Sequence, residues 1–269
     1  MGYNIINMKK LNYIPPSENS REKIGLENIE ATLKANSAEL RKMGIPVDDE
    51  SRLQIEGFKN YPRETIIKDK IAEDRFKERF GFKNRSEQVG EQFEKLKTAL
   101  LQKTLKEKFI ICRTAFFDDV VNGVDNIILD KKSGNVVCAL DEVCDLHSAR
   151  YEEKRRKVLD INRIGGARIN YGLQLDPETN KIKLSPVSAV PLFFLGLNEQ
   201  NVKKVIKQFE KDKTSEMEEN IIRFFTESMK QQAELFLNVC SKNTSFTQRV
   251  RDFQKVLSEL NQIKNEEAL

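Results

Sequence analysis

The sequence predicts an α/β protein, more specifically an α+β fold in which a central mixed sheet is flanked by helices. Apolar residues recur at helical spacing on both sides of the middle of the chain. Three segments are instead rich in β-branched side chains, as strands are: residues 109–115, 124–129 and 135–143. The middle of the chain is therefore expected to form the sheet, and the regions before and after it to supply helices.

Three helices are predicted ahead of the first strand, because each segment has an apolar stripe with steps of three and four residues. The first covers residues 19–43 and ends at Gly44. The second follows Pro62, and the third covers residues 87–107. The third helix directly precedes the strands.

The second and third predicted strands are joined by a polar turn at residues 130–134, which indicates an antiparallel hairpin. A charged helix is expected over residues 148–163. Further strands are expected over residues 168–175 and 189–195, with a polar excursion between them. Asn198 is placed to cap the helix that follows.

The chain is expected to have three parts. Residues 1–84 form a tail and a helical extension, residues 85–212 the α/β core, and residues 213–269 a pair of helices. Apolar side chains in residues 246–260 step by four and three, as in a coiled-coil seam. We expect an antiparallel helical hairpin that packs on the core or on a second copy of the chain, so a homodimer through the helical arms is one predicted partner.

The composition of the 269 residues favours an apolar core with a strongly solvated surface, since 39% are hydrophobic and 33% are charged. No apolar run is long enough to cross a bilayer, and the N-terminus lacks the apolar segment of a secretory signal. We expect a soluble, cytoplasmic protein with no membrane partner. The net charge of +4 does not by itself indicate a nucleic-acid binder, so local basic patches matter more.

The cysteine and histidine content excludes some classes of site. The four cysteines show no paired C-x-x-C spacing and are interpreted as small buried hydrophobes in a reducing compartment. The single histidine, His147, rules out histidine-rich metal sites and disfavours a histidine-dependent triad. A local polar role is expected for His147.

Two aspartates are the strongest candidates for chemistry. Asp125 begins one predicted strand, and Asp141 lies near the end of its antiparallel neighbour, so the two carboxylates can meet at one end of the sheet. Two carboxylates completed by water suit Mg²⁺ or Mn²⁺, which can polarise a phosphate and activate water. Asp141 also interrupts an apolar strand, where an acid needs a partner. Glu142 is expected to point to the opposite face and to be solvated.

A second group of polar residues, Asp118, Asp119 and Asn122, directly precedes Gly123. Asp and Asn next to Gly are typical turn formers. We interpret Asp118 and Asn122 as turn residues.

The order of helix, strand, turn, acidic strand, hairpin, acidic strand, basic helix and strand resembles the PD-(D/E)XK, or restriction-endonuclease-like, nuclease superfamily. In this resemblance Asp125 matches the aspartate of the PD element, and Asp141 matches the acid of the (D/E)-x-K element. The preceding helix would supply a further carboxylate, with Glu91 favoured over Glu94. The resemblance implies Mg²⁺ or Mn²⁺ held by Asp125, Asp141 and Glu91, and hydrolysis of DNA phosphodiester bonds.

The chain departs from the superfamily at Val143, where the motif has its lysine. Two interpretations remain open. In one, a basic residue has taken over the role of the lysine, with Lys154 or Arg168 as the preferred substitutes and Arg155 or Lys157 as further candidates. In the other, the site is inactive and the nuclease-like fold is a scaffold for binding proteins or nucleic acid. A third and weaker hypothesis, a purely helical adaptor, requires a chain without appreciable strand content.

A basic run at residues 150–157 has the charge density of a phosphate-backbone contact. It equally fits a solvated helix in which Glu and Arg or Lys side chains pair one turn apart. Both interpretations remain open at the level of the sequence.

Overall fold

The computed structural model describes residues 18–80, 89–144, 149–240 and 244–266. The helices are α1 (Glu18–Lys42), α2 (Arg63–Phe80), α3 (Val89–Leu105), α4 (Ala149–Arg163), α5 (Glu199–Gln208), α6 (Glu216–Val239) and α7 (Thr244–Glu266). The strands are β1 (Phe109–Arg113), β2 (Asn126–Asp130), β3 (Val136–Cys144), β4 (Ala167–Ile169), β5 (Leu173–Asp176), β6 (Lys181–Leu184), β7 (Val187–Val190) and β8 (Leu192–Leu197). The protein is therefore mixed α/β, and its strands exclude the purely helical adaptor.

A four-stranded mixed sheet in the order β1-β2-β3-β8 forms the centre of the fold. β1, β2 and β3 are antiparallel neighbours, so the predicted hairpin between β2 and β3 is confirmed. β8 runs parallel to β3 and places Phe194 beside Asp141. Because β3 has a neighbour on each side, it is an interior strand, and eight of its nine positions are buried.

The region between α4 and β8 differs from the prediction of two strands. The chain forms two small antiparallel sheets there, one of β4 with β7 and one of β5 with β6. Ile169, Tyr171 and Leu173 are all fully buried, so apolar side chains continue at every second position through the gap between β4 and β5. β6 has the sequence KIKL and no fully buried position, so its sequence does not stand out as a buried strand.

The helices cover the central sheet and each other. α3 packs against β1 and β3, α4 packs against β3 and β8, and α1 packs on α3 and α5. α6 lies against β8, and α7 lies against β3 and β7. β3, which carries Asp141, and its neighbour β8 are therefore the most heavily covered part of the sheet.

The C-terminal helices pack on the core, which is one of the two placements that the sequence leaves open. The ring of Phe193 on β8 lies 5.3 Å from that of Phe236 on α6 and 4.7 Å from that of Phe253 on α7. α6 and α7 also pack on one another. Within the described ranges, neither these helices nor any other combines the length and apolar character needed to cross a membrane.

Capping side chains set the start of two helices. Asn198 accepts a hydrogen bond from the Asn201 backbone N–H at 2.8 Å, so the predicted cap of α5 is confirmed. Ser215 and Glu218 form a reciprocal capping box at the start of α6. The Glu218 carboxylate also accepts a hydrogen bond from Lys103 at 2.8 Å, which ties α6 to α3.

All four cysteines are free thiols. Cys112, Cys138 and Cys240 are buried, and Cys144 is half-buried. Burial raises the pKa of Cys112 and Cys138 above the ordinary thiol value, which disfavours the reactive thiolate. This agrees with the interpretation of the cysteines as small hydrophobic side chains.

Candidate functional site

The carboxyl groups of Asp125 and Asp141 meet where β2 begins and β3 nears its end. The residues are 6% and 2% exposed, and the nearby Asp125 carboxyl group acts on Asp141 to raise its pKa. Asp125 is held on both sides by the backbone of β3. Its N–H donates to the Leu140 carbonyl at 2.9 Å, and its Oδ2 accepts from the Glu142 N–H at 2.9 Å. We call Asp125 and Asp141 the acidic pair.

Lys154 on α4 is the cation that contacts the acidic pair. Its Nζ donates to Asp141 Oδ1 at 2.6 Å and to the Glu142 backbone carbonyl at 2.7 Å. The Lys154 side chain is 24% exposed, whereas that of Asp141 is 3% exposed. The ammonium therefore lies between the buried acid and the solvent.

The other basic candidates lie elsewhere. Arg155 is exposed and pairs with Glu152 at 3.3 Å on the surface of α4. Lys157 lies against the backbone of Gly123, where an added Cβ would collide with its Nζ. Arg168 is exposed on β4, and its charge acts on Tyr61. His147 and the side chain of Arg150 fall outside the described part of the molecule.

Lys97 on α3 reaches the same region from within the core. It is fully buried and forms an ion pair with Glu142. Burial lowers the pKa of Lys97 to about 8, against the opposing effect of nearby carboxylates, of which Asp125 acts most strongly. The expectation that Glu142 is solvated is wrong: the residue is 8% exposed, because α3 packs against β3.

In the described part of the molecule, carboxylates outnumber ammonium groups around the acidic pair. Asp125, Asp141 and Glu142 face Lys97 and Lys154, and Asp125 accepts a hydrogen bond from the Glu142 backbone N–H. Burial and the charge of Asp125 raise the pKa of Asp141 to about 7, although Lys154 opposes this shift. The buried carboxyl group of Asp141 therefore holds its proton to a higher pH than an exposed aspartate does.

Glu91, the predicted third carboxylate, is bound to a guanidinium instead. Arg113 on β1 is fully buried and donates to Glu91 at 2.8 Å, to Glu94 at 2.7 Å and to Glu50 at 2.8 Å. Arg52 donates to Glu94 at 2.7 Å as well. In the described ranges, no three His, Cys, Asp or Glu side chains form a group that could hold a metal ion. The structure thus joins two of the three predicted ligands.

Asp118 and Asn122 shape the turn that leads to Asp125, as expected. They belong to a π-helical turn, Asp118–Asn122, which ends at Gly123 with a left-handed φ of 66°. Asn122 donates to Asp118 at 2.6 Å, and Asp118 also accepts two backbone N–H groups from the chain after β4. The side chain of Asp119, which belongs to the same turn, accepts a hydrogen bond from Arg52 at 3.0 Å.

Two buried cations of this region, Lys97 and Arg113, were missed from the sequence. Lys97 falls one turn after Phe93 and one turn before Leu100, on the buried side of α3. Arg113 ends an apolar run in β1. A charged residue inside an apolar pattern indicates a buried charge, as it does at Asp141, and both cations have the same pattern around them.

No protein-family model, no curated protein and no solved structure matches this chain at a significant level. A functional assignment therefore depends on the residues, contacts and charges described above.

The buried guanidinium of Arg113 predicts a large stability effect. We expect Arg113→Met to lower the free energy of unfolding by about 3–5 kcal/mol, because it leaves buried carboxylates without their counter-charge. Urea denaturation followed by circular dichroism measures this change. Arg155→Met is the matched control, since it removes an exposed guanidinium and should cost less than about 1 kcal/mol. Similar losses in both variants would contradict a structural role for Arg113.

The raised pKa of Asp141 predicts a pH-dependent stability. The folded-state pKa of about 7 exceeds the unfolded value, so the neutral acid stabilises the fold at low pH. This contribution disappears as the pH rises through the folded-state pKa. Calorimetry from about pH 5 to about pH 8 should therefore show the wild-type melting temperature falling relative to that of Asp141→Asn. Asp160→Asn, on the exposed face of α4, should follow the wild type. A constant offset between wild type and Asp141→Asn would refute the titration.

Proposed function

We propose that the protein is a divergent PD-(D/E)XK-like nuclease that hydrolyses DNA phosphodiester bonds with Mg²⁺ or Mn²⁺. The observation that carries this proposal is the acidic pair, which comes from adjacent antiparallel strands and has Lys154 Nζ 2.6 Å from Asp141. The order of elements around the pair supports it too: α3, β1, the β2–β3 hairpin, α4 and the parallel strand β8.

The donor atoms at the acidic pair suit a hard divalent cation. Asp125 and Asp141 would hold it with their carboxylate oxygens, and the Glu142 carbonyl lies on the same side as Lys154. Mg²⁺ commonly takes only one or two protein carboxylates and keeps several waters. The Lys154 ammonium already binds two of these oxygens, Asp141 Oδ1 and the Glu142 carbonyl oxygen, as a metal ion would. When bound, a divalent ion would polarise the phosphate and lower the pKa of a bound water.

The protein's own side chains have separate roles in this proposal. Lys154 offsets negative charge on the phosphate, in place of the motif lysine that Val143 replaces. Lys97 is fully buried and bound to Glu142, so it acts as a positioning residue that fixes the end of β3. Arg168 is exposed on another strand and has no part in the site. Glu91 is engaged by Arg113 and supports the site only through α3.

The surface of α4 supports a nucleic acid as the substrate. Arg155, Arg156 and Lys157 are exposed on the helix that also carries Lys154. Lys157 reaches Gly123, two residues before Asp125. Exposed basic side chains on the helix that carries Lys154 would provide the sequence-independent attraction for a phosphate backbone.

Cleavage of supercoiled plasmid tests the proposal. We expect nicking and linearisation in the presence of Mg²⁺ or Mn²⁺, and none with a chelator. Asp141→Asn should reduce the rate by roughly 100-fold or more, because it removes charge where the transition state needs a cation. Asp160→Asn should cleave like the wild type, since its carboxylate is on the exposed face of α4. Cleavage that survives in Asp141→Asn would exclude the acidic pair as its source.

A second candidate function is a catalytically inactive, nuclease-like scaffold that binds protein or nucleic acid. The observation that favours it is that three of the acids already have cationic partners, since Lys154 binds Asp141, Lys97 binds Glu142 and Arg113 binds Glu91. The two candidates differ in metal linkage, because an ion that binds the folded state must raise the melting temperature. A folded wild type that shows neither cleavage nor stabilisation by Mg²⁺ or Mn²⁺ supports the scaffold.

A further inference from the structure

Lys154 holds the position against the acidic pair that a divalent cation would need. Its ammonium bonds to one carboxylate oxygen and one backbone carbonyl oxygen, at 2.6 and 2.7 Å. Both are hard oxygen atoms of the kind that Mg²⁺, Mn²⁺ and Ca²⁺ prefer. An ammonium group and a divalent ion cannot both occupy the same oxygens, because two cations in contact repel each other.

The two lysines that bind Asp141 and Glu142 differ in burial. Lys97 is fully buried and is held by Glu142 in the core. Lys154 is partly exposed and lies at the solvent side of the acidic pair. Its flexible four-carbon stem allows the ammonium to leave Asp141 without any movement of α4.

We propose that the Lys154 ammonium competes with divalent cations for the Asp141 carboxylate and the Glu142 backbone carbonyl. The inference rests on the proposed metal site, and it adds that the ion enters when Lys154 moves away. The wild-type protein then binds divalent ions weakly by itself. An anionic phosphate favours metal binding because it gives the displaced ammonium a new partner.

Binding of Mn²⁺ alone, measured by isothermal titration calorimetry and by the melting temperature, tests the competition without any reaction. We expect Lys154→Met to bind Mn²⁺ roughly tenfold more tightly than the wild type, the size of a typical coupling between two sites. Lys154→Gln removes the charge but keeps a hydrogen-bond donor for Asp141. It should show an intermediate gain and guards against misfolding of the Met variant. Circular dichroism of the metal-free variants checks their fold.

Lys157→Met is the matched control, because it removes one positive charge from the same helix beside Gly123. It should change Mn²⁺ affinity far less than Lys154→Met, which separates direct competition from a general change in charge. Equal Mn²⁺ affinity in wild type, Lys154→Met and Lys154→Gln would overturn the competition while leaving the metal site in place. Equal gains in Lys157→Met and Lys154→Met would overturn it as well. Absence of Mn²⁺ binding in every variant would overturn the metal site of the proposed function, and the competition with it.

Discussion

The fold depends on how it compensates the acids buried in an interior strand. Asp141 and Glu142 are consecutive residues of β3, and both are nearly inaccessible to solvent. A buried carboxylate is costly unless an opposite charge or hydrogen bonds accompany it. Each acid receives its own lysine from a different helix, Lys154 from α4 and Lys97 from α3. The docking of both helices on the sheet is therefore coupled to these two ion pairs.

The helix α3 carries charges of both signs to the sheet. Glu91 and Glu94 bind Arg113 at the end of β1, and Lys97, one turn further along, binds Glu142 on β3. Residues three apart lie on neighbouring parts of one helix face. A single face of α3 therefore binds a cation on β1 and an acid on β3. A rotation of α3 would break both sets of contacts at once. These directional contacts add to the non-directional apolar packing of α3 in fixing the orientation of the helix.

The sequence was sufficient to predict β1, β2 and β3, the β2–β3 hairpin and the closeness of Asp125 to Asp141. These depend on local alternation and on one turn, which periodicity and turn chemistry report directly. The partners of buried charges depend on tertiary packing instead. Glu142 was expected to face water because one side of a hairpin often does, but α3 covers that side. Likewise, Arg52 belongs to the predicted helical extension, and its partners Glu94 and Asp119 lie far along the chain. Only the folded structure shows that these three side chains meet.

In the proposed PD-(D/E)XK relationship, Val143 stands where the motif has its lysine, and this difference would change more than the position of one charge. Val143 is 4% exposed and joins the apolar core, where a strand-borne lysine would have been held rigidly beside Asp141. The lysine that contacts Asp141 comes from α4 and is partly exposed, so its ammonium can exchange the carboxylate for another anion. In the proposed function, a proton, this ammonium and a metal ion would compete for Asp141. Since about 1.4 kcal/mol changes an equilibrium tenfold, small differences in their binding free energies would separate the proposed nuclease from the proposed scaffold.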